Sequence, residues 1–66
     1  SLATVSALIG AGILDSSLKA HLQKALDNGA TRSELVEVIT QLGFYTGWPK
    51  AWAAFRLLKE ILAEAE

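Results

Sequence analysis

Sixty-six residues make room for one small domain, residues 1–66, and a composition 52% apolar and 20% charged is too apolar and too balanced for a disordered tail. Six Lys and Arg against seven Asp and Glu leave a formal charge of −1, without the basic stripe that non-specific nucleic-acid binding needs. The absence of cysteine excludes a disulfide framework, a thiol redox centre and a Cys-based zinc site, and one histidine builds no metal cluster.

The uncharged opening stretch, Ser1 to Leu14, is too short and too rich in Gly, Ser and Thr for a membrane span of about 20 residues, and it lacks the basic start of a signal peptide. Its spacing predicts a first helix with Leu2, Val5, Ile9 and Ile13 on one face and Ala3, Ala7 and Ala11 on another, weakened at its end by Gly10 and Gly12. Asp15, Ser16 or Ser17 caps a second helix that stops at Asn28-Gly29. Leu18, Leu22, Ala25 and Leu26 form its apolar stripe, and His21 sits at the edge of that stripe.

Thr31-Arg32-Ser33-Glu34 is a capping box, the strongest start signal in the chain. Leu35, Val38, Ile39, Leu42 and Tyr45 follow at helical spacing, Gly47 ends the third helix and Pro49 opens a fourth. So short a link makes these two helices antiparallel neighbours. The fourth carries Ala51, Ala54, Phe55, Leu57, Leu58, Ile61 and Leu62 over an arc wide enough to pack on two partners. The reading is an all-α bundle of about four helices. A lone core in a chain below roughly 70–80 residues supplies only a few kcal/mol, so with disulfides excluded self-association is the expected staple.

Three constellations could carry chemistry. His21 alone has an ordinary pKa near neutrality, which fits either a proton donor or a half-buried packing residue. On the third helix Glu37, Gln41, Tyr45 and Trp48 recur at i, i+4, i+8 and i+11, offering an acid, an amide, a phenol and an indole along one stripe. Such a stripe binds a small polar ligand at the mouth of an apolar pocket, or is an ordinary solvated face with an aromatic end; with Phe44 beside it, it also suits a protein interface. Trp52 points away from the apolar arc near Arg56 and Lys59, an arrangement for a cation over the indole, an anion clamp or a subunit contact. No phosphate loop, nucleophile elbow or catalytic carboxylate pair is present.

The run from His21 to Ile39, HLQKALDNGATRSELVEVI, resembles the central motif of the carboxymuconolactone decarboxylase family, and Tyr45-Thr46-Gly47-Trp48-Pro49 resembles its tyrosine-x-glycine-x-proline signature. The resemblance implies an alkyl hydroperoxidase D-like helical fold that forms trimers or hexamers, with sites built partly between subunits. The hydroperoxidase branch carries a Cys-x-x-Cys pair before the histidine. Here Asp15 and Leu18 stand at those positions, so thiol chemistry is excluded and the cysteine-free branch is implied.

That branch implies a cytoplasmic, cofactor-free and metal-free removal of CO₂ from γ-carboxymuconolactone in aromatic catabolism. His21 and Glu37 would be the catalytic residues, and Gln41, Tyr45 and Trp48 would hold the anionic substrate. Gln41 stands where many relatives have a second His, and an amide donates a hydrogen bond but transfers no proton. Relatives carry one or more helices before this part, and the chain lacks Met, so it reads as shortened at the N-terminus. The alternatives are a non-catalytic assembly module, natural or engineered, and a small-molecule binding protein; neither nucleic acid nor membrane is an expected partner.

Overall fold

Local hydrogen bonding decides where each helix starts and stops. In the computed structural model, which describes residues 2–65, four helices follow in order: α1 Leu2–Gly10, α2 Ser16–Asp27, α3 Arg32–Thr46 and α4 Trp48–Ala65. They account for 84% of the described residues, among which there is no strand.

Helices α1 and α2 end in the same way. The Gly12 amide donates to the Ile9 carbonyl and the Ile13 amide to the Leu8 carbonyl, while Gly29 and Ala30 repeat the pattern onto Leu26 and Ala25. This is the Schellman closure, which needs a left-handed residue at its penultimate position; Gly12 (φ 79°) and Gly29 (φ 105°) supply it. The turn at Gly12 also corrects the expectation for Ile13. The helix has already stopped at Gly10, so Ile13 leaves the Val5/Ile9 face and is 41% exposed.

The starts are equally local. The Asp15 carboxylate accepts from the Ser17 amide at 2.9 Å. At α3 the box is complete: the Thr31 amide donates to Glu34 Oε1 at 2.8 Å and the Glu34 amide to Thr31 Oγ1 at 3.1 Å. Gly47 alone separates α3 from α4, so the two helices form an antiparallel hairpin.

Val5, Ile9, Leu18, Leu22, Leu35 and Ile39 are fully buried and meet Ala51, Ala54, Leu58 and Ile61 of α4. Alanines at two of the four α4 positions let its backbone approach the other helices closely. Tyr45, expected on the buried stripe, is instead 78% exposed. The buried arc of α3 centres on Leu35, Ile39 and Gly43, and at 3.6 residues per turn Tyr45 lies about 120° round from that centre.

Two longer-range ties fix the outer helices. The Lys50 ammonium donates to the Gly10 carbonyl at 3.5 Å, placing a cation at the C-terminal end of α1. Lys19 of α2 bridges Glu64 at 3.0 Å and Glu60 at 3.3 Å on α4. Hydrogen bonds to Glu64 and then Glu60 hold the Lys19 ammonium above the ordinary lysine value.

Two tests follow from these closures. Thr31→Ala removes one bond of the box and should cost about 1 kcal/mol, lowering Tm by about 4–8 °C in a thermal melt, with Thr31→Ser close to the parent. A raised lysine pKa stabilises the fold below the ordinary lysine value and is lost as pH rises through the folded value. Lys19→Met should therefore flatten the alkaline fall of a Tm–pH profile.

Candidate functional site

Helix α1 packs on α3, with Leu2 beside Glu34, while its far end at Gly10 meets Lys50 of α4. Where these helices diverge towards solvent they leave a groove of about 440 Å³ lined by Leu2, Glu34, Glu37, Val38 and Gln41. Leu2 and Val38 form its apolar wall. Glu34 is committed to the capping box, whereas Glu37 and Gln41 make no hydrogen bond among the described residues and present a carboxylate and an amide one helical turn apart.

Of the residues expected at a site, the fold brings Glu37 and Gln41 together. Trp48 is drawn elsewhere: its ring lies over Gly43, where a methyl group would come within 2.6 Å of Cε3, and meets Phe44 edge-on at 5.0 Å. It continues into Trp52 at 6.5 Å and Phe55 at 6.3 Å from Trp52, an aromatic row that starts at Phe44, two turns along α3 from Glu37, and passes across Gly43 onto α4. Trp52 thus contacts rings; among the described residues no cation lies over it. Tyr45 lines neither the groove nor that row.

His21 is half-buried on α2, which packs against α1 and α4 rather than α3. It occupies the edge of α2 opposite Lys19 and does not line the Glu37–Gln41 groove. Within one chain, the candidate proton donor and the Glu37–Gln41 pair therefore stand on helices that share only marginal contact. Among the described residues no three His, Asp or Glu side chains gather as a metal site, and no helix is long and apolar enough to cross a membrane.

Sequence reasoning missed Gly43. A glycine in the middle of a 15-residue helix costs about 1 kcal/mol relative to alanine, and that cost was the available signal that something must approach the backbone there.

A small all-α bundle that carries an acid- and amide-lined groove between α1 and α3 is the class that fold and site define. The chain belongs to the carboxymuconolactone decarboxylase family, whose model matches residues 1–60. It is 34% identical over 64 residues to a 4-carboxymuconolactone decarboxylase of Acinetobacter baylyi (strain ATCC 33305 / BD413 / ADP1), covering 97% of this chain and 47% of that relative. The chain thus spans about half the length of the relative. No solved structure matches it significantly.

The Trp48–Gly43 contact is testable. Gly43→Ala should displace the indole at a cost of about 1–3 kcal/mol and abolish the ring-current shifts of Phe44 in proton NMR. In a Trp48→Ala background the same methyl should cost much less, an interaction that a double-mutant cycle measures.

Proposed function

We propose that this chain is a subunit of a self-associating, cofactor-free carboxy-lyase that acts in the cytoplasm on a small unsaturated lactone acid of the γ-carboxymuconolactone type. The observation that carries the reading is the shared groove of Glu37 and Gln41 against Leu2 and Val38, in a chain of this family. In the reaction the bond between ring carbon and carboxylate breaks, CO₂ leaves, and its bonding electron pair passes into the conjugated lactone carbonyl. A proton then returns to carbon.

Leu2 and Val38 supply an apolar wall that strips water from the departing carboxylate. The Gln41 amide donates to the lactone oxygen that gathers charge, and Glu37 orients the proton donor. Tyr45, outside the groove of the single chain, borders the substrate at its mouth in the assembly, whereas Trp48, expected to hold substrate, is engaged with Gly43 and Phe44. His21 gives the proton. Because α2 barely touches α3 and His21 does not line the groove within one chain, the histidine comes from a second copy in a trimer or hexamer.

Incubation with γ-carboxymuconolactone should give loss of lactone absorbance above background, reduced about 100-fold or more by His21→Ala and about tenfold by Glu37→Gln. Absence of turnover, or turnover indifferent to His21→Ala, overturns the reading. Gln41, an amide unable to relay a proton, favours a second one, a binding module for the same class of anion. Saturable binding of the lactone without product would establish it.

A further inference from the structure

The aromatic row belongs to a larger face that the groove chemistry does not use. Phe44 and Trp52 are 71% and 64% exposed, and Trp48 is 40% exposed beside them. Beyond Phe55 the same side of α3 and α4 continues into a depression of about 450 Å³ whose floor is Val36, Phe55, Leu58 and Leu62 and whose rim carries Arg32 and Lys59. From Trp48 to Leu62 the face runs about 21 Å along α4 at 1.5 Å per residue. Exposed aromatics contiguous over such a length mark an interaction surface.

The face is chemically polarised along its length. The end near Gly47 is aromatic, with Phe44, Trp48 and Trp52, the far end is aliphatic and cationic, with Val36, Leu62, Arg32 and Lys59, and exposed Arg56 stands between them one turn from Trp52. No carboxylate lines the depression, and neither Arg32 nor Lys59 has an ion-pair partner among the described residues, in contrast to Lys19. A parallel apposition of two such faces sets cation against cation. An antiparallel two-fold apposition sets each cationic end on the partner's indole rings, and repeats that contact by symmetry.

We infer that the α3–α4 face is a two-fold interface with a second copy of this chain, in which Lys59 of each copy lies over the Trp48–Trp52 rings of the other. A self-complementary face holds both halves of its own contact, which is why the occupant is a second copy rather than an unrelated partner. The interface leaves the α1–α3 groove open to solvent. It rests on the self-association in the proposed function and is independent of the decarboxylation.

Sedimentation velocity over a dilution series, with indole emission as a second readout, tests it. The expected result is a reversible dimer, or an even-numbered assembly containing it, whose indole emission moves to longer wavelength on dilution. Trp52→Ala and Lys59→Gln should each weaken association at least about tenfold, while Lys59→Arg keeps it, because arginine serves the aromatic contact as well as lysine does. Both side chains lie at the surface, so helix content by circular dichroism should be unchanged.

Assembly that persists unaltered in Trp52→Ala and Lys59→Gln overturns the face and leaves self-association standing. Equal weakening by Lys59→Gln and Lys59→Arg overturns the cation–ring contact. A chain monomeric at every concentration overturns both this inference and the assembly on which the proposed function depends. A monomer whose indole emission responds to added decanoate assigns the face to anionic amphiphiles instead.

Discussion

Every helix in this molecule has one face to give to the interior, and large aliphatic side chains fill that interior. Val5, Ile9, Leu18, Leu22, Leu35 and Ile39 are fully used in holding four helices together. None of them is left to wall a closed cavity, so the grooves that exist are open seams between neighbouring helices. A small chain with its core thus committed offers chemistry only along its outside edges, and an enclosed site has to be made by adding a second surface.

That constraint explains the division of labour between the sides of α3. Its inner face holds Leu35, Ile39 and Gly43; one flank turns Glu37 and Gln41 to the α1 seam, the other carries Val36 beside Phe55 of α4, and Phe44 stands outermost against Trp48. The acid and the amide sit against Leu2 and Val38, and the rings run from Phe44 across Gly43 onto α4. A single helix thereby separates a polar seam from an apolar, cation-edged face. Gly43 makes the second flank: without side-chain bulk there, Trp48 lies flat on the helix instead of standing off it.

What was legible in the sequence was what the backbone settles within a few residues. The Thr31–Glu34 box, the Asp15 cap and the stops at Gly29 and Gly47 involve partners no more than five positions apart, and each stands where the residues imply. The all-α class and the buried positions of α4 follow from the same short-range periodicity. Ile13 and Tyr45 were misplaced because a periodic stripe was continued past a Gly-ended helix in one case and round its circumference in the other. The stripe from Glu37 to Trp48 was legible as a spacing but not as a site: it crosses Gly47, where the helix axis changes, and Trp48 follows α4. The separation of His21 from Glu37 depends on which helices pack together, and no local pattern encodes that.

The packing of α4 on all three of its predecessors has a consequence for how the chain is made. Synthesis runs from α1 to α4, so the helix that covers Leu18, Leu22 and Leu35 leaves the ribosome after them. Until Ala51, Ala54, Leu58 and Ile61 have emerged, the first three helices have apolar faces and nothing to complete them. These faces therefore stay exposed until α4 follows, and holding that intermediate apart from its neighbours falls to the tunnel and to chaperones.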